Sequence, residues 1–364
     1  MLNRSLYKLR SSLHLSSRPE RSGASEVEGP AVLQRLLSAR WSFLLAAVIV
    51  LSACDDKSQP SSKPESTSPA AATKPAPPNF PPDTGPAPSI DADRTMQYIK
   101  DVVKFGARPV GSANHAKLEK YILDHLQGDA VESDSFTVDT PAGKFPVRNI
   151  IAKFPGTKDG IIVIAGHYDT NYPLRNTGFV GANDGGSTTA ILLEFANQLR
   201  GKRREGYSIW LLWTDGEEAI EHWTDTDSVY GTRHLAQKWQ ADGTAKQIKA
   251  FIVEDMIADA DLDIAHDDNS TPWLEQTLME AATRLGEQSH FFAYSTAVSD
   301  DHVPFRNIGV PVLDIIDIDY GYNNVFHHTA QDTVDKLSTK SLQIIGATTL
   351  ETVRILDHMD PLPK

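Results

Sequence analysis

From residue 166 onward, acids and histidines recur in short clusters: Gly166-His167-Tyr168-Asp169, Gly181-Ala182-Asn183-Asp184-Gly185-Gly186, Asp215-Gly216-Glu217-Glu218, Asp255, Asp300-Asp301-His302 and His327-His328. Oxygen and nitrogen donors without a thiolate suit a catalytic zinc ion, which takes three protein ligands and keeps one position open. Any one of these acids, taken alone, reads better as a solvated loop residue or a helix cap. That reading fails for a set drawn from six separated segments. Glu217-Glu218 is the most telling pair, because neighbouring side chains diverge: one carboxylate can bind metal while the other faces the reacting group as a base. His222 and His234 read as surface or packing histidines outside the site.

The elements that would position these residues follow from periodicity. Met96, Ile99, Val102, Val103 and Phe105, then Leu118, Tyr121, Ile122 and Leu126, are spaced as the buried faces of two opening helices. Residues 147–154, 161–165, 208–213, 251–253 and 310–316 read as strands, and 187–199, 274–285 and 341–356 as helices. Strands alternating with helices predict a single α/β domain whose twisted central sheet is mostly parallel and covered by helices on both faces. In such a sheet the ligand site lies beyond the carboxyl ends of the strands, where the acidic clusters fall.

The chain has 364 residues, 40% hydrophobic and 23% charged, enough for a sizeable core without disulfides, and it contains one cysteine. Net charge is −13, and residues 1–50 hold seven Lys or Arg against three Asp or Glu, leaving the rest at −17. That balance argues against a nucleic-acid partner. Arg35 and Arg40 precede an apolar run from Phe43 to Leu51, the length of a signal-peptide core rather than a membrane span. Leu51-Ser52-Ala53-Cys54 resembles a bacterial lipobox. Residues 1–54 are therefore expected to be an extension and lipoprotein-type signal, with export to the periplasm or cell envelope and membrane contact only through a lipid on Cys54. Residues 1–34 exceed what a signal needs, as an upstream start-codon misassignment would produce. The Pro-, Ser- and Ala-rich residues 55–90 read as a disordered tether, and 91–364 as one catalytic domain, expected to be monomeric.

The motifs GHYD (166–169), GANDGGST (181–188), DGEE (215–218), Asp255 and HHTAQDT (327–333) resemble, in order and over residues 91–358, the zinc aminopeptidases of the bacterial leucyl type and the glutaminyl-peptide cyclotransferases. Trp223, the stretch 227–235 and Asp300-Asp301-His302-Val303-Pro304-Phe305 followed by 309–313 look more like the cyclotransferase branch. The resemblance implies the phosphorylase/hydrolase-like zinc-exopeptidase fold. It further implies Asp184, Glu218 and His328 as zinc ligands, Glu217 as proton shuttle with Asp255 and Asp300 hydrogen-bonded to it, and Trp223 lining the substrate pocket. His327, which stands where cyclotransferases usually carry tryptophan, is expected to bind substrate together with Trp223, and GANDGG looks more like the aminopeptidase loop.

The implied reaction is cyclisation of an N-terminal glutamine of a peptide or protein to pyroglutamate, with one zinc ion and release of ammonia. In the alternative, an aminopeptidase, a second metal held by His167 and Asp255 together with Asp184 would anchor the free amine and water would attack the first peptide bond. A third reading, a metal-binding surface lipoprotein without catalysis, gives no reason for Glu217.

Overall fold

The computed structural model describes residues 78–83 and 85–363; Cys54 and the apolar run before it lie outside them. Alternation along strand β3 (Gly156–His167) shows how the core is built. Ile162 and Ile164 pack toward a layer that includes Ile99, Leu192, Leu278 and Ile345, whereas Ile161, Val163 and Ala165 pack toward Leu235, Ala236 and Trp239. Successive strand side chains face opposite ways, so a strand apolar at every position must be covered on both faces. The covering helices are α1 (Ala92–Val103), α2 (Ala113–His125), α3 (Gly186–Leu199), α5 (Pro272–Leu285) and α7 (Thr339–His358) on one face. On the other lie α4 (Tyr230–Asp242) and the short α6 (Val303–Arg306). Three helices start on side-chain caps, Asp91 accepting from the N–H of Arg94, Ser112 from His115 and Ser338 from Lys340.

The central sheet has six strands in the order β1-β2-β4-β3-β5-β8. β4 (Arg204–Thr214), β3, β5 (Ile248–Asp255) and β8 (Val312–Ile316) are parallel, as the sequence predicts. β1 (Ala130–Thr140) and β2 (Gly143–Phe154) join antiparallel, so the sheet is mixed. β1 escapes periodicity because it is an edge strand with only Asp134 buried, and its apolar face is reduced to Phe136 and Val138, which pack half-buried against Val110, Val147 and Tyr230. A small second sheet pairs β6 (Ile264–Asp267) with β7 (Phe291–Thr296).

Part of the segment read as tether is held against the domain. Arg284 donates to the Pro81 carbonyl at 2.5 Å, Arg354 donates to Asp83 at 2.8 Å, Phe80 packs against the main core, and Ile90 is buried. Among the described residues, no helix is long and apolar enough to cross a membrane.

Candidate active site

β3, β4 and β5 end at one edge, which brings together His167, the turn from Asp215 to Glu218, and Asp255. Asp184 arrives on the loop that opens α3. That loop fits only because Gly181 and Gly185 adopt left-handed φ of 53° and 74°; a Cβ there would lie 2.4 Å from the Asp184 carbonyl oxygen and 2.5 Å from that of Asp169. His328, on the loop after β8, is itself left-handed at φ 51°, a strained conformation for a non-glycine residue.

His328 Nε2 lies 3.3 Å from Asp184 Oδ2 and 3.2 Å from Glu218 Oε1. Both oxygens are buried and have no hydrogen-bond partner among the described residues. Bonds of about 2.0 Å in a tetrahedron give edges of about 3.3 Å, so both distances from His328 have the spacing of zinc ligands, with His328 partly open toward the cavity. Charge points the same way. Burial would lower the pKa of His328, but Glu218 and Asp184 reverse this and raise it to about 11. Burial and Asp184 raise Glu218, while Asp184, which burial alone would raise, is held well below the carboxylate range by contact with His167 and His328. His167 Nε2 faces two further oxygens, Asp255 Oδ1 at 3.1 Å and Asp184 Oδ1 at 3.2 Å. Asp184 thus joins the two donor groups.

Glu217 is 5% exposed and opens into a cavity of about 380 Å³ that is also lined by Trp223, Asp300, Val298, Ile316 and His327. Larger clefts lie elsewhere on the surface, but this is the one into which the acidic cluster opens. Burial holds the Glu217 carboxyl well above the carboxylate range; His167 opposes this and Asp300 adds to it. Asp300 is pushed up to about 7 by burial, then by Asp255 and Asp301. The hydrogen bonds expected from Asp255 and Asp300 to Glu217 are not made. Asp255 instead engages His167, and Asp300 accepts the N–H of Asp301 and keeps its other oxygen unpaired. Each acid is drawn to a local cation or N–H, because two carboxylates can pair directly only by sharing a proton. Trp223, 40% exposed, stands at the cavity mouth. His222 is exposed, and His234 stacks on Phe136 and bonds Asp134 at 3.0 Å.

Other residues hold this site without standing out in the sequence. Asp169 accepts the backbone N–H groups of Glu217 and Glu218, Asn171 donates to Glu218 Oε2 at 2.8 Å, and Asp332 accepts the N–H groups of Asn183 and Asp184. Arg108, fully buried, donates to the carbonyls of Val180 and Gly181 at 2.5 and 2.9 Å. Burial lowers its pKa to about 10, while Asp332, Asp184 and Asp169 favour its charged form. Asp169 and Asp332 lie inside motifs already noted; Arg108 lies far from any, and only its fixed charge beneath an acidic cluster explains it.

An α/β sheet with an acid-imidazole donor set at its carboxyl edge and a buried glutamate beside it defines a metal-dependent exopeptidase-like enzyme scaffold. Residues 149–353, more than half of the chain, match Peptidase family M28, and the chain belongs to that family. It is similar to the glutaminyl-peptide cyclotransferase of Drosophila melanogaster, 30% identical over 269 residues that cover 65% of this chain and 75% of that protein. Among solved structures, an Acidobacteriales bacterium glutaminyl cyclase is 51% identical with a TM-score of 0.74, covering 77% of this chain and 99% of that one. The Porphyromonas gingivalis glutaminyl cyclase is 26% identical with a TM-score of 0.65, covering 73% and 98%.

Proposed function

We propose that this chain is a glutaminyl-peptide cyclotransferase that converts the N-terminal glutamine of peptides or proteins to pyroglutamate. The observation that carries the chemistry is Glu217, buried beside Asp300 and facing a cavity next to the Asp184, Glu218 and His328 donors. Cyclisation is preferred to hydrolysis because the 51% identical structure is of a glutaminyl cyclase.

Zinc held by Asp184, Glu218 and His328 would supply a Lewis acid that polarises the γ-carbonyl of the substrate. Glu217 takes a proton from the α-amine as its nitrogen bonds to the γ-carbon, and returns a proton to the amide nitrogen as the C–N bond breaks and ammonia leaves. An acid raised by burial suits both halves of this exchange. Because the attack is intramolecular, confining the glutamine side chain in the cavity supplies much of the rate. Trp223 at the mouth would cover the substrate's first residue.

The convergence of His167, Asp184 and Asp255 favours one competing reading, an aminopeptidase with a second metal. Mass spectrometry of a Gln-Xaa-Xaa peptide incubated with the zinc-loaded protein separates the two. Loss of ammonia alone supports cyclisation; loss of the whole first residue sinks it. We also propose a monomeric, exported protein anchored by a lipid on Cys54, tested by labelled fatty-acid incorporation that Cys54→Ala should abolish.

A further inference from the structure

The edge of the sheet opposite the cavity carries charge of the other sign. Arg200-Gly201-Lys202-Arg203-Arg204, which joins α3 to β4, is basic at every position but one, in a chain whose residues beyond 50 sum to −17. With Lys153 these cations line a cleft of about 720 Å³, against the acids Asp129, Glu205 and Asp357. Three of the cations are already held, Arg200 by Asp129, Arg204 by Asp357 and Lys153 by Glu132, and these pairs build the walls. Lys202 and Arg203 are exposed and pair with no carboxylate among the described residues; Lys202 approaches only Gln198, at 3.5 Å. The dipole of α3 favours a cation at its C-cap, Arg200, but its pull fades within a turn and gives no reason for Arg203.

The chain that precedes the domain passes close to this cleft. Asp83 accepts from Arg354, one helical turn before Asp357 and His358, both of which line the cleft. Cys54 lies 24 residues before Pro78, a reach of at most ~85 Å. A tether of that length lets a surface approach any side of the domain, so a lipid on Cys54 would leave the orientation open. Charge selects one: an anionic surface repels the acidic remainder of the chain and attracts the face where cations outnumber acids. β4 runs 11 residues from Arg204 at the cleft to Thr214 beneath the catalytic turn, so cleft and cavity stand on the order of 30 Å apart at opposite edges of the sheet.

We propose, resting on the Cys54 anchor reading above, that this cleft docks on anionic phospholipid head groups, with Lys202 and Arg203 meeting their phosphates. Docking of this kind turns the catalytic cavity away from the membrane, toward peptide N-termini in solution.

The test uses full-length protein, with Cys54 intact and as Cys54→Ala, and vesicles of phosphatidylcholine alone or mixed with phosphatidylglycerol. Cosedimentation at low salt should show tighter binding to the anionic vesicles, and high salt should erase the difference. Lys202→Ala with Arg203→Ala should weaken binding to the anionic vesicles by about 30-fold. The same double variant should leave phosphatidylcholine binding, thermal unfolding and ammonia release from a soluble Gln-Xaa-Xaa peptide unchanged. Vesicle-bound wild type should process that peptide as fast as free protein, and a drop on docking would overturn the orientation. A phosphatidylglycerol preference that survives the double variant, or no preference at all, would overturn the docking. So would binding of soluble polyphosphate as tight as that of the vesicles and equally sensitive to the variant, which assigns the cleft to a soluble polyanion. Fatty-acid labelling that fails at Cys54, while the double variant still loses the preference, keeps the docking and sinks the anchor reading alone.

Discussion

Two acid-histidine clusters in this molecule have nearly the same composition and opposite character. At the cavity, one nitrogen of His328 faces two carboxylates, Asp184 and Glu218, at 3.3 and 3.2 Å. Behind Asp300, His302 lies between Asp267 and Asp314 with a different nitrogen toward each, Nε2 at 3.2 Å and Nδ1 at 3.5 Å, and all three side chains are sealed from solvent. In the first cluster one histidine nitrogen faces both acids, and the group opens into the cavity. In the second the ring turns a different nitrogen to each acid, and although one donor atom from each of Asp267, His302 and Asp314 lies within 4.8 Å of the others, the group is sealed from solvent. The protonation of the bridged acids differs as well. Asp267, which burial would raise, is held below the carboxylate range by His302 and by backbone N–H groups, whereas burial, Asp300 and Asp267 drive Asp314 well above it. Residue type and spacing alone do not make an active site; access does, and the first cluster lines a cavity whereas the second is closed to it.

That contrast can be broken experimentally. The largest effect is expected from Glu217→Gln, which removes the proton carrier and leaves the donors intact. Turnover should fall by roughly 10²–10⁴ with zinc content unchanged, and a parallel loss of zinc would make Glu217 a ligand instead. Next is His302→Leu, which strands two buried acids and should cost about 3–5 kcal/mol of folding stability. Thermal unfolding checks this, and if the variant keeps wild-type stability but loses zinc, the two clusters have been assigned the wrong way round. His328→Ala should weaken zinc binding by roughly 100-fold or more in a chelator competition, whereas His302→Leu should leave the zinc affinity of the folded protein close to wild type.

The effect confined to the narrowest condition concerns Glu254, which precedes Asp255 on β5 but turns into the helical layer, where Thr349 donates to it at 2.6 Å. Burial raises its pKa to about 8. Because the folded protein holds that proton more tightly than the unfolded chain, the associated stability is fully present below about pH 4.5 and is lost as pH rises toward about 8. Glu254→Gln should remove that loss, reducing the decline by about 1.4 kcal/mol per pH unit across this window. Denaturant midpoints measured from pH 5 to 9 read it directly, and an unchanged pH slope would mean that Glu254 is ionised in the folded state.

Much of the fold was legible because its signals are local. Ile161 to Ala165 is apolar at every position, which requires cover on both faces, and Met96, Ile99 and Val102 repeat at helical spacing. β1 was not legible, since an edge strand such as residues 130–140 is held mostly by pairing with β2, with only Phe136 and Val138 reaching an apolar cluster. α4 was only loosely legible, as a helix-like or loop region around His234, because its inward face rests on the few apolar residues Leu235, Ala236 and Trp239. In the site, the acids and histidines were visible as types and in order, but Arg108 was not, because nothing near it in sequence needs a buried cation. The expected hydrogen bonds to Glu217 were also unreadable, since they depend on rivals such as His167 that lie close only after folding.

The amino-acid sequence by itself determined the layered α/β plan, the strand-end loops that carry donors, and the Glu217-Glu218 adjacency that splits base from ligand. Those features depend on periodicity, turn chemistry and neighbouring positions, all local in the chain. Only the tertiary structure decided which histidine faces both its acids with one nitrogen and which turns a different nitrogen to each, and that Asp255 answers to His167. Each of those depends on angles and distances of a few ångströms between residues brought together by the sheet edge, and no spacing along the chain encodes the direction of a lone pair.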